Sequence, residues 1–265
     1  MAEARFEFGR NWASFAQLLD EERIVAAEHR MAKLLGTRSL AGRRFLDIGC
    51  GSGLHALAAL RMGAQEVVAI DLDPHSTATT RAVLEKFWPR RNWSVHDLSV
   101  FALEARPFGL FDLVYSWGVL HHTGEMNRAL RVAAAQVGPG GQLAVALYGK
   151  TRYCGVWTRI KRWYVGATAE QKSRAERVYT RLFGLYLLLR GKRLSTHIAN
   201  YNRKRGMDYY HDVRDWIGGY PYESITPREL AALLAPLGFS TEWQDVRRRS
   251  GLFGSGCDEF RLRRT

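Results

Sequence analysis

The chain has 265 residues, a formal net charge of +13, 46% apolar and 25% charged side chains, and three cysteines, Cys50, Cys154 and Cys257. That length and apolar content suit one large core carrying an insertion, and no run approaches the roughly 20 apolar residues of a membrane span. The three scattered cysteines point to neither a disulfide framework nor a metal site, and the opening MAEARFEFGRNW lacks the apolar stretch of a secretory signal, so the expected setting is a reducing cytoplasm.

Residues 10–35 read as helical, because Ile24, Val25, Met31, Leu34 and Leu35 recur near a period of 3.6 and Gly36 supplies a stop. An alternation of strands and helices follows. Arg44–Ile48 reads as a strand and Leu54–Met62 as a helix. Glu66–Ile70 is a β-branched strand, and Pro74–Phe87 a helix with proline in its first turn. Trp93–His96 and Phe111–Tyr115 read as strands, Glu125–Val137 as a helix, and Gln142–Leu147 as a strand after the turn Pro139-Gly140-Gly141. This order predicts βαβ units and a parallel sheet covered on both faces.

The alternation stops near Gly149, and three or four helices are expected across 150–217. Thr226-Pro227-Arg228-Glu229 is a capping box opening a helix over Leu230–Leu237. Phe239–Val246 and Asp258–Arg263 read as two closing strands. Between Lys150 and Thr226 stand 16 Lys and Arg against 6 Asp and Glu, so +10 of the +13 lies in the insertion. A field of that sign attracts anions, or is simply a solvated basic face.

The most informative segment is Asp47-Ile48-Gly49-Cys50-Gly51-Ser52-Gly53, between a strand and a helix. Glycines let a backbone turn tightly and approach a ligand closely. The spacing departs from the GxGxxG of dinucleotide sites because residue 54 is Leu. Asp47 would repel a pyrophosphate but tolerate a ligand bearing an ammonium or sulfonium. With the acids of AIDLDP (Asp71) and VHDLS (Asp97), the segment FDLVYSWGVLHHT at 111–123 and the Pro139-Gly140-Gly141 turn, the chain resembles the class I methyltransferases that use S-adenosylmethionine (SAM). FEFGRNWASF and MDYYHDVRDWIGGYPYESITP resemble a ubiquinone-biosynthesis-like subgroup, from which no substrate transfers.

The resemblance implies an α/β, Rossmann-like seven-stranded sheet. Lid helices would occupy 1–36, the SAM-binding core 37–149, a helical substrate-binding insertion 150–226, and the completion of the core 227–265. It implies SAM as cofactor, S-adenosylhomocysteine (SAH) as product and no metal. The cofactor would be held by Asp47, Gly49, Cys50, Gly51, Gly53, Asp71 and Leu72, and by Asp97, Leu98, Ser116 and Trp117. Asp71 matches the acid that binds the ribose hydroxyls and Asp97 the residue facing the adenine amino group.

The acceptor is expected to be a small molecule of secondary-metabolite, sugar or phenolic type, anionic if the basic insertion reports on it, and methylated on O or N. Trp12, Tyr209, Tyr210, Tyr220, Tyr222 and Glu223 are its candidate contacts. Phe6, Phe8 and Phe15 either join Trp12 in a lid or pack the first helix. For a hydroxyl acceptor a base is needed, and His121, His122 and His211 have the right intrinsic pKa; packing is the competing role for each. A nucleic-acid acceptor is the weaker alternative, since Ser116-Trp117 stands where an Asn-Pro-Pro-Tyr-type motif would. Leu182–Leu189 (LFGLYLLL), flanked by Arg181, Arg190, Lys192 and Arg193, reads as a buried helix, a homodimer seam, or an interfacial helix meeting a membrane with a lipid or quinone acceptor.

Overall fold

A computed structural model of the chain describes residues 8–105, 108–201, 208–246, 252–254 and 256–265, except the side chain of Arg10. Phe6 lies outside the described residues. Strands β1 (Arg44–Ile48), β2 (Glu66–Asp71), β3 (Trp93–Asp97), β4 (Phe111–Trp117), β5 (Val137–Tyr148), β6 (Phe239–Asp245) and β7 (Cys257–Arg264) form one sheet in the order β3-β2-β1-β4-β5-β7-β6. β1 to β5 pair in parallel, and β7 runs antiparallel between β5 and β6. The α/β, Rossmann-like architecture expected from the sequence is present.

The sheet is buried on both faces, which is why its central strands are dominated by apolar residues, as at 67–70 and 143–147. Phe45 points to one side and Leu46 to the other. Phe45 packs with Ile24, Met31 and Leu34 of α2 (Glu21–Leu35) and Leu57 of α3 (Leu54–Arg61). Leu46 packs with Leu130 of α5 (Met126–Ala135) and Leu230 of α10 (Pro227–Leu234). α4 (Pro74–Phe87) covers the first face near β2.

The helical stretch expected over 10–35 consists of two helices. α1 (Phe8–Ala16) ends before Asp20, whose carboxylate accepts a bond from the Arg23 amide at 2.9 Å and caps α2. A capping carboxylate starts a new helix even where the apolar period runs through. β5 starts at Val137, five residues before the expected Gln142, with an irregular register opposite Phe111 and Leu113.

Between β5 and α10 stand four helices among the described residues: α6 (Cys154–Gly166), α7 (Ala169–Leu188), α8 (Leu194–Ala199) and α9 (Tyr209–Gly218). They bury Tyr164, Tyr201, Tyr209, Val213 and Ile217 in a cluster of their own. The Thr226 capping box closes as expected, with Glu229 bonded to the Thr226 amide at 2.9 Å and Thr226 to the Glu229 amide at 3.2 Å. α1 straps the insertion to the core. The Gly9 amide donates to Asp73 at 3.0 Å, Asn11 donates to Asp215 at 2.7 Å, and Ser14 bonds His211 at 3.1 Å.

Candidate active site

The loop after β1 turns back over β2. The amides of Gly49 and Cys50 donate to the Ile70 carbonyl at 2.8 and 3.1 Å. Gly51 sits at φ 52°, and a Cβ there would come 3.2 Å from the Trp12 ring. Only glycine meets both conditions without strain. The Gly51 amide donates to Asp71 at 3.1 Å, and the Asp73 amide donates to its other oxygen at 2.9 Å. Burial raises the Asp71 pKa, and these amides oppose the rise.

Beneath the loop, Asp47 is buried, and its Oδ2 has no hydrogen-bond partner among the described residues. Burial, and then the charge of Asp71, pushes its pKa up to about 7. A buried acceptor without a partner is costly. A positively charged ligand bound nearby would offset that cost, whereas a pyrophosphate would meet two carboxylates. The loop and its acids therefore suit a ligand with a cationic amino-acid moiety and ribose hydroxyls.

A cavity of about 350 Å³ runs from this loop into the insertion. Its first lobe is lined by Gly49, Cys50, Gly51, Ser52, Asp71 and Trp117, under Trp12. Its second lobe is walled by Tyr148, Tyr179, Phe183, His197, Tyr201, Tyr209, Trp216 and Phe253. Phe8, Gly118, Val119 and His122 also line it.

The three candidate histidines occupy different settings. His122 lines the cavity, with its ring 5.0 Å from that of Phe8. Its Nδ1 lies 2.6 Å from the Pro221 carbonyl, which only accepts, so Nδ1 carries the proton and Nε2 is left as an acceptor. Burial, then the charge of Lys161, lowers its pKa to about 3. His121 is fully buried outside the cavity lining. Its Nδ1 accepts from the Tyr148 amide at 3.3 Å, its Nε2 has no partner among the described residues, and burial holds its pKa well below the usual value. His211 also lies outside the lining, bonded to Asp208 at 2.9 Å and to Ser14 at 3.1 Å.

Of the expected cofactor residues, the structure gathers Gly49, Cys50, Gly51, Asp71 and Trp117 on the cavity wall. Gly53 caps α3, and Ser116 is buried with its hydroxyl on the Ile48 carbonyl at 3.0 Å. Leu72 is exposed, and Leu98 donates its amide to the Asp71 carbonyl at 2.8 Å. Asp97 accepts bonds from Thr77 and Arg81, away from the lining.

Of the expected acceptor contacts, Trp12 and Tyr209 line the cavity, as do Phe8 and Phe15. Tyr210 points outward. Tyr220 is buried with its hydroxyl on Arg162 at 3.0 Å, and Tyr222 is buried with its hydroxyl 3.5 Å from the Cys154 sulfur. The Glu223 carboxylate accepts from the Met126 amide at 2.9 Å, at the start of α5. Glu223 thus fixes the loop after β4 rather than lining the cavity, an arrangement that gives residues 220–223 a packing role.

Asp212 and Trp216, which the sequence groups with the 209–223 aromatic cluster, line the cavity, and so do three residues with no sequence signal, Arg30, Asp215 and Glu259. Arg30 is a guanidinium at the glycine-loop lobe, and Glu259 accepts from the Trp117 indole at 3.0 Å. Lys161 was missed as well. It is fully buried, bonded to the Trp216 carbonyl, with its ammonium 4.1 Å from the Trp216 ring centroid. Burial lowers its pKa to about 7, against the opposing charge of Asp215. Its only sequence signal was an apolar setting, Ile160 to Trp163, inside a basic helix.

The charge in the cavity is opposite to that of the insertion as a whole. Asp71, Asp212, Asp215 and Glu259 line it with Arg30, whereas Arg174, Arg177, Arg181, Arg190, Lys192 and Arg193 are exposed. A net charge sums over a segment and cannot say which face carries it. Among the described residues there is no group of three His, Cys, Asp or Glu placed to hold a metal ion.

A family model described as a methyltransferase domain matches residues 19–242. Ribosomal protein L11 methyltransferase of Vibrio campbellii is 33% identical over 112 residues, covering 42% of this chain and 36% of that protein. Its counterpart in Ralstonia pickettii is 38% identical over 106 residues, covering 40% and 32%. The chain thus spans about a third of the length of the curated relatives it matches. The fold is similar to that of magnesium protoporphyrin IX methyltransferase from Synechocystis PCC 6803 with bound SAM, at TM-score 0.53 and 13% identity over 92% of this chain and 80% of that one. It is also similar to the [4+2]-cyclase SpnF, at TM-score 0.54 and 15% identity over 89% and 80%.

Proposed function

The chain belongs to the class I SAM-dependent methyltransferases, and from that premise we propose that it methylates an oxygen or nitrogen atom of a small molecule carrying a flat ring. The observation that supports this most is the continuity of the cavity. One space joins the glycine loop and Asp71 to an aromatic chamber, and His122 lies on its wall. A chamber so walled suits an enclosed planar molecule and favours the phenolic type among the acceptors considered.

SAM, when bound, supplies an electrophilic methyl group on its sulfonium. Asp71 would accept bonds from the ribose hydroxyls, as an acceptor-only carboxylate does well. Asp47 would offset the ligand's positive charge, and Arg30 would meet its carboxylate. Trp12 and Phe8 cover the lobe and exclude water. The aromatic chamber would hold and orient the acceptor beside the donor lobe. For a hydroxyl acceptor, His122 Nε2 would take up the hydroxyl proton. Burial keeps His122 neutral across the physiological range, while the Lys161 charge weakens it as a base, so loss of that charge would strengthen it.

The ribosomal protein L11 methyltransferases suggest a macromolecular acceptor as the rival reading, but the aromatic walls of the chamber favour a small planar molecule. The test is to incubate the protein with methyl-labelled SAM and an extract, then fractionate the products. The proposal expects label in the small-molecule fraction. Label confined to protein or RNA would overturn it.

A further inference from the structure

α7 is apolar on two faces. Its inner face turns Tyr179 and Phe183 into the cavity. Its outer face presents Val178, Leu182, Leu185 and Leu189 at 46%, 51%, 54% and 81% exposure. At about 100° per residue these positions share a stripe roughly 60° wide, and Leu188, 65% exposed, borders it. A solvated helix face would carry polar residues there. A contiguous exposed apolar patch marks an interaction surface.

The surroundings say which kind. Arg174, Arg177 and Arg181 lie along one flank, and Arg190, Lys192 and Arg193 follow the end of the helix, all exposed. From Arg177 to Arg193 the sequence contains no acid. A second copy meeting this face about a two-fold axis would bring two basic rims together, which disfavours a homodimer. An anionic lipid surface is complementary to both the leucines and the bases. No helix among the described residues is long and apolar enough to cross a membrane.

We propose that the outer face of α7 docks the enzyme on an acidic lipid surface. The leucines enter the boundary between headgroups and acyl chains, and the flanking arginines and lysine hold anionic headgroups while their stems lie along apolar surface. The aromatic chamber then stands one helix diameter, about 10–12 Å, from the lipid, and the acceptor is lipophilic and drawn from that phase. The docking stands on the surface alone. The nature of the acceptor rests on the small-molecule function proposed above.

The experiment is co-sedimentation of the full chain with vesicles of phosphatidylcholine alone or mixed with phosphatidylglycerol, at low and high salt. Binding is expected to the mixed vesicles and to weaken with salt. A Leu185→Glu/Leu189→Glu variant should bind them at least about tenfold more weakly, because it loses apolar burial and adds repulsion. Its circular dichroism and its calorimetric affinity for SAH should be unchanged. A wild-type protein left in the supernatant with both vesicle types would overturn the docking. So would a dimer, seen by light scattering, that the variant dissociates. Vesicle binding without label in any small molecule would defeat the proposed function while leaving the docking intact. Undiminished transfer to a lipophilic acceptor without vesicle binding would do the reverse.

Discussion

Asp47→Asn isolates the buried acid beneath the glycine loop. In the folded protein burial and Asp71 push this carboxyl from 3.8 to about 7. A group whose folded pKa is raised stabilises the fold at low pH, and that contribution is lost as pH rises through the folded value. The shift is about 3 units, and each unit corresponds to about 1.4 kcal/mol, so ionising Asp47 should cost the ligand-free protein about 4 kcal/mol by pH 8. Asparagine keeps the shape and an acceptor for the Ala56 amide but carries no charge. At about 2–4 °C per kcal/mol for a chain of this size, ligand-free Asp47→Asn should melt on the order of 10 °C above wild type at pH 8. The gap should narrow as pH falls toward 5. Saturating SAH should raise the wild-type melting temperature more than that of the variant. Melting curves from pH 5 to 9 check this. Parallel curves for the two proteins would refute the claim that Asp47 bears an uncompensated buried charge.

Asp71→Ala should weaken SAM binding by about 1.5–3 kcal/mol, the scale of hydrogen bonds to a charged group, as read by calorimetry; unchanged affinity would remove Asp71 from the ribose role. His122→Ala should lower turnover at least about tenfold with SAM affinity intact, within the range general-base catalysis contributes, whereas His211→Ala should leave the chemical step unaffected. Lys161 changes charge near pH 7 beside His122, and its protonated form depresses His122 basicity. Turnover should therefore rise through pH 7 in wild type, and this limb should vanish in Lys161→Met; identical pH profiles would dismiss the coupling.

The donor half of the molecule was legible because its signals are local. β1 and β2 are mostly apolar strands, Asp47 and Asp71 stand in them, and glycines follow β1 in a fixed order. The break between α1 and α2 was hidden, since the apolar period continues across it and only Asp20 marks the new start. On the acceptor half, the signals depend on partners distant in sequence. Glu223 caps a helix whose first residue is Met126, and nothing near residue 223 announces that. Lys161 looked like one base among many, yet it is the one drawn into an aromatic cage. The leucines of α7 were visible as a run, but not which side of the helix they would occupy.

One cavity is proposed to serve donor and acceptor together, and a crystal structure of the SAH complex tests that most directly. The ribose hydroxyls should lie on Asp71, and the sulfur should face His122 and the aromatic chamber. SAH bound with its sulfur turned away from the chamber, or separated from it by protein, would contradict the account.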